Sequence, residues 1–259
     1  MFDMEGQSMR EIRNYVKVKS LEEAYELNQK KNNCIIGGML WVRTNANSLD
    51  TAIDISGLGL DSIEENEEEI KIGAMVTLRE IEHNDVINKY SHNAVRDAVK
   101  DIVGVQFRNM ATVGGSIWGR FGFSDVLTIF LCMDTYVELY KGGVVSLDDF
   151  VNMPKDGDII VSIIIKKKPV NVVYEAVRIQ STDFPVITCA LAADDDEYRF
   201  AIGARPSAAC LVKINNGTEN IPEKVANSVT TGSNSRGSAE YRKHLIKVLA
   251  ERCLAQIGG

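Results

Sequence analysis

The stretch MATVGGSIWGRFGFSD, residues 110–125, constrains the fold of this chain more than any other segment. It holds four glycines in sixteen residues and ends in Ser124 and Asp125, just before an apolar run. Glycine lets the backbone adopt a positive φ and lets a ligand approach the chain closely. The stretch therefore predicts either tight surface turns or a backbone that is shaped around a ligand.

Composition limits the classes of function. The chain has 259 residues, of which 45% are hydrophobic and 25% charged, and a net charge of -7. These values are typical of a globular protein with a sizeable core. The acidic charge argues against binding to nucleic acid or to an anionic membrane, since both rely on basic surfaces. The apolar runs are too short to span a bilayer and no secretory signal is visible, so we expect a cytoplasmic protein.

The cysteines predict neither a disulfide framework nor a metal site. Cys34, Cys132, Cys189, Cys210 and Cys253 are odd in number and far apart, with no C-x-x-C motif. Only three histidines are present, and no H-E-x-x-H motif accompanies them. We expect reduced and mostly buried thiols, and no metal bound by this chain.

Residues 1–60 are predicted to form a small α/β lobe. The segment SLEEAYELNQKK (20–31) opens with a capping box from Ser20 to Glu23 and has apolar residues at helical spacing. Two short strands follow, over 33–38 and 51–56, and the first of them runs into a Gly-Gly turn.

A second lobe, residues 61–168, is predicted to combine helices with a mostly antiparallel sheet. A capping box from Thr77 to Glu80 begins one helix, and a buried helix follows Ser124 or Asp125 as its N-cap. The other predicted elements are a strand over 69–78, a helix over 93–102, a hairpin over 135–147 and an apolar strand over 158–166.

The third lobe, residues 169–259, is predicted to pack a three-stranded antiparallel sheet against helices. The predicted strands cover 172–179, 185–193 and 198–204, and the acidic turn DDDE joins the last two. The predicted helices cover 221–229 and 239–257, on either side of a polar linker.

Familiar phosphate and nucleophile motifs are absent from the sequence. GLGLDS (57–62) lacks the third glycine of G-x-G-x-x-G, and no P-loop occurs. GGSIW has Trp118 where a nucleophile elbow needs glycine, so Ser116 is a poor nucleophile candidate. The acidic run over 64–69 is typical of a solvated loop.

Two glycine-rich turns remain, at predicted strand ends. They are CIIGGMLWVRTN (34–45) and ATVGGSIWGRFGFSD (111–125). Consecutive N–H groups in such a turn, or at the start of the helix near Asp125, can hold an anion without any lysine. The residues alone leave both a nucleotide site and ordinary tight turns open.

Several segments resemble one family, the FAD-binding subunits of molybdenum hydroxylases such as xanthine dehydrogenase and carbon monoxide dehydrogenase. RNMATVGGSI, followed by Ser124 and Asp125, is similar to that family's RN-x-A-T-x-G-G-N and S-P-x-x-D segment. SLEEAYELN and CIIGG resemble its opening, and DIIVSIIIK the strand that ends its flavin domain. YEAVRIQSTDFPVITCALA, AIGARP and SAEYRKHLIKVLAERCL resemble its C-terminal domain, so the likeness covers nearly the whole chain.

The resemblance implies an α+β protein with the vanillyl-alcohol-oxidase-type (PCMH) FAD-binding fold. In that fold two α/β lobes hold FAD, here without a covalent bond, and a C-terminal α+β domain packs beside them. The first pyrophosphate loop implied by position is Ile35, Ile36, Gly37, Gly38, Met39, Leu40 and Trp41. The second implied loop is Ala111, Thr112, Gly114, Gly115, Ser116, Gly119, Ser124 and Asp125.

The resemblance also places Ile159 and Ile160 near the isoalloxazine, and Arg178 either in the flavin region or on a strand surface. Each assignment has a plain structural alternative. Ser124 and Asp125 would then only cap a helix, the two isoleucines would be core, and Trp41 and Trp118 would only pack.

Three positions depart from the family pattern. Met39 and Leu40 stand where the family shows Thr-Asp, Ser116 replaces Asn, and Gly122 sets a turn that Ser-Pro sets in the family. Binding of a pyrophosphate by backbone groups should survive these changes, whereas side-chain contacts to the cofactor are altered.

The function that the resemblance implies is electron transfer through FAD, with no catalytic residue on this chain. A molybdopterin-binding subunit would hydroxylate the substrate, and the [2Fe-2S] centres of an iron-sulfur subunit would relay electrons to FAD. FAD would pass them to NAD+ or another acceptor. Two alternatives stay open: a self-contained flavin oxidase of small molecules, and an assembly subunit that has lost FAD.

Overall fold

A computed structural model describes residues 11–42 and 48–258 of the protein. The first ten residues, where no secretory signal is predicted, and residues 43–45 of the first predicted glycine-rich turn lie outside the described residues. Three β-sheets and the helices packed on them make up the described part.

The first sheet is small and parallel. Its strands and the helix that packs on them are β1 (Ile12–Lys17), α1 (Leu21–Asn28), β2 (Asn33–Ile36) and β3 (Leu49–Asp54). β3 lies between β1 and β2, and Ala24 of α1 shares a buried cluster with Ile53. The predicted helix and both predicted strands are confirmed. β1 was not predicted, because it is a mostly exposed edge strand whose apolar and charged residues follow no clear period.

The second sheet has five strands, and every pairing in it is antiparallel. Its strands are β4 (Ile63–Glu65), β5 (Glu69–Gly73), β6 (Thr135–Leu139), β7 (Gly143–Ser146) and β8 (Ile160–Lys166). β8 is the central strand, and its Ile163 and Ile165 are fully buried. The predicted antiparallel sheet, the hairpin of β6 and β7 and the apolar strand are confirmed.

Helices fill the connections of the second sheet. They are α2 (Leu78–His83), α3 (Asp85–Tyr90), α4 (Ala94–Val99), α5 (Val105–Arg108), α6 (Val113–Gly119), α7 (Asp125–Cys132) and α8 (Leu147–Asn152). The strand predicted over 69–78 is shorter than expected, since β5 ends at Gly73. The chain turns there because the carbonyl groups of Ala74 and Val76 accept hydrogen bonds from the start of α6.

One of the two predicted capping boxes forms in full. Thr77 accepts a hydrogen bond from the N–H of Glu80, and the Glu80 carboxylate accepts one from the N–H of Thr77 at 2.7 Å. At α1, Ser20 accepts from the N–H of Glu23, but the Glu23 carboxylate accepts from the N–H of Lys19. The predicted box at Ser20 is therefore wrong in its second half, although the helix start is right.

The third sheet has four strands, which corrects the predicted three. Its strands are β9 (Asn171–Val177), β10 (Ile187–Ala193), β11 (Glu197–Gly203) and β12 (Cys210–Asn215), in the order β12-β11-β10-β9 and all antiparallel. β12 was missed because it is a half-buried edge strand behind a proline-containing loop, so it carries no continuous apolar run. The lobe boundaries at 60 and 168 stay predictions.

Two helices, α9 (Ile221–Ser228) and α10 (Ala239–Ile257), cover one face of the third sheet. Both were predicted. α10 has 19 residues, yet neither it nor any other helix in residues 11–42 and 48–258 is long and apolar enough to cross a membrane.

Arg242 of α10 joins this helix to the sheet and to the linker before it. Its side chain is 1% exposed and donates to the carbonyl oxygens of Val186, Gly232 and Gly237 and to Oδ1 of Asn234, at 2.6–2.9 Å. A buried guanidinium of this kind is stable only while its donors are satisfied. Sequence patterns gave no sign of it, since Arg242 looks like any helix-surface charge.

We expect the substitution Arg242→Met to lower the free energy of unfolding by about 3–5 kcal/mol, because it leaves the buried carbonyl group of Val186 and the part-buried ones of Gly232 and Gly237 without their donor. Arg252→Met is the matched control, since Arg252 lies exposed on the same helix and should cost less than about 0.5 kcal/mol. Urea unfolding followed by circular dichroism measures both. Equal losses in the two variants would contradict the structural assignment.

Candidate functional site

A cavity of about 500 Å³ lies where the first loop after β2, helices α6 and α7 and the connection between β9 and β10 meet. All the predicted site residues except Ile36 line it, namely Ile35, Gly37, Gly38, Met39, Leu40, Trp41, Ala111, Thr112, Gly114, Gly115, Ser116, Gly119, Ser124, Asp125, Ile159, Ile160 and Arg178. Ile36 is 6% exposed and faces away, because neighbouring residues of a strand point to opposite sides. The structure thus brings four distant segments together.

Two glycines let the loop after β2 lie directly on the segment before α6. A Cβ atom on Gly38 would stand 1.8 Å from the carbonyl oxygen of Met110, and one on Gly37 would stand 2.6 Å from Oγ1 of Thr112. Both distances are far inside van der Waals contact, so no larger residue fits at either position. The pair is needed for this close approach of two backbones.

The loop itself, residues 37–41, lines the cavity. Met39 adopts a left-handed conformation with φ of 60°. Within the described residues, the N–H groups of Gly38, Met39 and Leu40 find no hydrogen-bond partner. Successive N–H groups around a left-handed residue form a concave site for an anion, which we call the nest. The change from Thr-Asp to Met-Leu removes two polar side chains but keeps these backbone donors.

The second glycine pair is helical, which corrects the predicted turn. Gly114 and Gly115 lie in the first turn of α6, where Oγ1 of Thr112 accepts from the N–H of Gly115 at 3.2 Å. The N–H groups of Val113 and Gly114 donate to the carbonyl groups of Val76 and Ala74, both at 2.9 Å. The turn prediction failed because capping and tertiary contacts outweigh the low helix propensity of glycine.

These hydrogen bonds also change what the second segment offers to a ligand. The first three amides of α6 are used within the protein, so they do not form the expected second anion cradle. Gly114 is required for packing, because a Cβ there would stand 2.7 Å from Cβ of Ala74. Ser116 donates its hydroxyl proton to the carbonyl group of Thr112 at 2.8 Å and keeps its acceptor capacity.

Ser124 and Asp125 have different tasks at the start of α7. Ser124 is the N-cap and accepts from the N–H of Leu127 at 3.0 Å. Oδ1 of Asp125 accepts from the hydroxyl of Tyr174 and from Nη2 of Arg178, the latter at 2.6 Å. Burial raises the pKa of the Asp125 carboxyl, although Arg178 and Tyr174 act against this rise. Asp125 is therefore a buried polar group at the cavity wall.

Arg178 is an interior residue, which rules out the strand-surface alternative. Its side chain is 9% exposed, pairs with Asp125 and donates from Nη1 to the carbonyl oxygen of Asp183 at 2.8 Å. A partly buried ion pair with satisfied hydrogen bonds fixes both side chains at the cavity.

Ile159 and Ile160 form an apolar floor. Both are buried, and they belong to two different hydrophobic clusters, Ile159 to that of the first sheet and Ile160 to the main cluster. The carboxylate of Asp158 holds them in place by accepting from the N–H groups of Ile159 at 2.8 Å and of Gly142 at 2.7 Å. The two isoleucines are thus part of the core and also line the cavity.

Five aromatic side chains line one end of the cavity, and sequence reasoning singled out only one of them. The five are Trp41, Phe107, Phe121, Phe123 and Phe184. Their ring centroids lie 4.3–6.2 Å apart, and Phe121 is stacked on Phe123 at 5.2 Å. The closely spaced phenylalanines of GRFGF were an available signal. No sequence signal indicated Phe184, which lies about sixty residues after Phe123.

Lys155 is a further cavity residue that the sequence did not reveal. It follows α8 and donates from Nζ to the carbonyl oxygen of Gly119 at 3.0 Å. Burial and the nearby Arg120 lower the pKa of its ammonium group. Lys155 therefore holds the end of α6 and adds a positive charge to the cavity.

The described residues contain no group of three or more His, Cys, Asp or Glu side chains placed to hold a metal ion. The five cysteines all lie in the described residues, and none of them forms a disulfide; Cys132, Cys189 and Cys253 are buried, while Cys34 and Cys210 are half-buried.

The residues at the cavity fit FAD. The nest supplies backbone donors for a pyrophosphate without a lysine. The isoleucine floor and the aromatic side chains supply an apolar slot for a planar ring, and Asp125 with Arg178 supplies polar groups beside it. The volume of about 500 Å³ is within the usual range for small-molecule sites, about 300–1,000 Å³.

Comparison with known proteins decides the family. The model of the FAD binding domain in molybdopterin dehydrogenase matches residues 7–167. The chain belongs to this family. The chain is thus an FAD-binding medium subunit of the kind found in molybdenum hydroxylases, which are oxidoreductases. The family resemblance that the sequence indicated is confirmed.

Two curated relatives align over nearly the full chain. An uncharacterized protein of Escherichia coli K12, YgfM, is 26% identical over 92% of this chain and 93% of its own length. The glyceraldehyde dehydrogenase medium chain of Sulfolobus acidocaldarius is 25% identical over 94% of this chain and 97% of its own length.

Solved structures share the fold at lower identity. A Cu,Mo-dependent carbon monoxide dehydrogenase superposes with a TM-score of 0.84 and 19% identity, covering 96% of this chain and 98% of its own. Quinoline 2-oxidoreductase from Pseudomonas putida 86 superposes with a TM-score of 0.81 and 17% identity, and the match covers 96% of this chain and 97% of its own. The mixed α/β architecture with several sheets is therefore that of the chain in carbon monoxide dehydrogenase.

We expect Gly38→Ala to lower the free energy of unfolding by about 1–3 kcal/mol, because the added methyl group forces the two backbones apart. It should also weaken FAD binding at least about tenfold by distorting the nest. Gly104→Ala is the control, since a Cβ there meets only Oε1 of Gln106 at 3.8 Å. Thermal unfolding and fluorimetric titration with FAD measure the two effects. Wild-type values for Gly38→Ala would show that the close contact is not needed.

Proposed function

We propose that this chain carries FAD as the electron-transfer subunit of a molybdenum hydroxylase of the xanthine dehydrogenase type. The observation that supports this best is one cavity that joins the nest of residues 37–41 to an apolar slot and a buried Asp125–Arg178 pair. The match to the FAD binding domain of molybdopterin dehydrogenases supports the same assignment.

Each part of the cavity has a proposed task. The nest binds the pyrophosphate through the N–H groups of Gly38, Met39 and Leu40. The floor of Ile159 and Ile160 packs against the isoalloxazine. The remaining predicted residues of α6 and α7 surround the cofactor between these ends. In domain terms, 1–60 and 61–168 form the two lobes of a PCMH-type fold, and 169–259 forms the C-terminal domain that closes the site with Arg178.

When bound, FAD collects single electrons and passes them on as a pair. The protein's own part is to hold the cofactor, to exclude water with the aromatic side chains and to place the Asp125–Arg178 pair beside it. We place the [2Fe-2S] centres and the molybdopterin in partner subunits. NAD+ or another acceptor takes the electrons from FAD. One structural relative, from Hydrogenophaga pseudoflava, is a carbon monoxide dehydrogenase that lacks the Mo-pyranopterin moiety of its molybdenum cofactor.

The proposal predicts a division of labour that purification can test. The isolated chain should bind FAD and show flavin absorbance, yet oxidise neither purines nor aldehydes. Co-purification with its iron-sulfur and molybdopterin subunits should restore substrate oxidation together with NAD+ or dye reduction, because the hydroxylating centre lies in the partner.

Two outcomes contradict the proposal, each in favour of a different alternative. Substrate oxidation by the isolated flavin-loaded chain would identify a self-contained oxidase. A chain that stays colourless after incubation with FAD would identify an assembly subunit without cofactor.

A further inference from the structure

A second cavity, of about 480 Å³, lies on the other side of the Asp125–Arg178 pair. It is open to solvent and lined mostly by polar residues of α4, β9 and the segments that follow them. The lining residues are Asp97, Lys100, Asp101, Tyr174, Glu175, Ala176, Arg178, Ile179, Gln180, Ser181 and Gln256. Arg178 lines both cavities, so its side chain is part of the wall between them.

One hydrogen bond crosses this wall. Tyr174 lines the second cavity, and Asp125 lines the first. The Tyr174 hydroxyl donates to Oδ1 of Asp125, and Nη2 of Arg178 donates to the same oxygen at 2.6 Å. Hydrogen bonds therefore join tyrosine, aspartate and arginine within the wall between the open second cavity and the cavity of the FAD site.

We propose that Tyr174 and Asp125 form a proton relay from the second cavity into the FAD site. Asp125 gives a proton from one carboxyl oxygen into the site and receives its replacement on Oδ1 from the Tyr174 hydroxyl. The tyrosine oxygen then takes a proton from water in the second cavity, and the hydroxide left behind is reprotonated from bulk solvent. The net change is one proton moved inward, and no bond other than O–H bonds forms or breaks. The relay rests on the proposed function, because reduction of a flavin takes up protons.

The charges around the pair suit this transfer. Tyr174 on β9 and Arg178 directly after it face Asp125, and Cys189 on the neighbouring β10 lies near Tyr174. Burial raises the pKa of both the Asp125 carboxyl and the Tyr174 hydroxyl, although Arg178 opposes both shifts. A carboxyl group that gains a proton readily is a better relay than one held ionised.

The far side of the relay carries acidic groups that face solvent. Asp101 follows α4 and Glu175 lies on β9, while Asp97 of α4 is paired at 2.6 Å with Lys100, which also lines this cavity. Burial lowers the pKa of the Arg178 guanidinium, but the negative charges of Asp125 and, less strongly, Asp101 outweigh this effect and raise the pKa. Acidic groups at the entrance raise the local concentration of protons, so the second cavity is a suitable source.

The decisive variant is Tyr174→Phe, which removes the hydroxyl and leaves the Asp125–Arg178 pair in place. Tyr90→Phe is the matched control, because its hydroxyl donates to the carbonyl oxygen of Lys166 and lines neither cavity. In the full chain loaded with FAD, photoreduction in the presence of a pH indicator measures the rate of proton uptake. Tyr174→Phe should slow this uptake at least about tenfold, and Tyr90→Phe should leave it unchanged.

A second measurement needs no cofactor. The Tyr174 hydroxyl stabilises the ionised form of Asp125, so Tyr174→Phe should move the pH at which this carboxyl titrates upward in the FAD-free chain. Infrared titration of the carboxyl bands, assigned with an Asp125→Asn variant, measures the change.

The outcomes separate the relay from the proposed function. Flavin absorbance in all variants with slowed proton uptake only in Tyr174→Phe supports the relay. Equal uptake rates in Tyr174→Phe and the wild type overturn the relay and leave the proposed function standing. A chain that binds no FAD overturns both.

Discussion

The contact between two backbones at Gly38 and Met110 is the constraint on which the site depends. A Cβ at Gly38 would stand 1.8 Å from the Met110 carbonyl oxygen. The loop after β2 can therefore pack on the segment before α6 only if residue 38 is glycine. This contact joins the first sheet to the helices of the second and places residues 38–40 at the cavity, where their N–H groups have no hydrogen-bond partner within the described residues. Both the packing of the first sheet and the formation of the nest therefore depend on this close approach.

The C-terminal part of the chain completes the site through a buried ion pair. Arg178, at the end of β9, reaches Asp125 at the start of α7, and Tyr174 on the same strand shares the contact. Both side chains are largely buried. Removing one of them would leave an uncompensated charge and lower the free energy of unfolding by about 3–5 kcal/mol. Asp125 lines the cavity, Tyr174 lines the polar second cavity and Arg178 lines both, which ties packing of the third sheet to the chemistry of the site.

The elements with strong local signals were predictable, and so were most of the segments that line the cavity. Periodicity and capping predict β8, the hairpin of β6 and β7, and α7 with its Ser124 cap. The family resemblance indicates the segments that line the cavity. β1 and β12 were missed because edge strands need no apolar run, and the Gly114–Gly115 pair was misread because capping by Thr112 overrides propensity. Tyr174, Lys155 and Phe184 reach the site through tertiary contacts alone, so no spacing could have revealed them.

We expect one FAD to bind in this cavity, and intrinsic fluorescence can detect it there. The chain has two tryptophans, Trp41 and Trp118, and both line the cavity. A flavin bound there lies close to both, so titration of the cofactor-free chain with FAD should quench most of the tryptophan emission and saturate at one FAD per chain. Emission that stays constant, or that falls without saturation, would contradict the account.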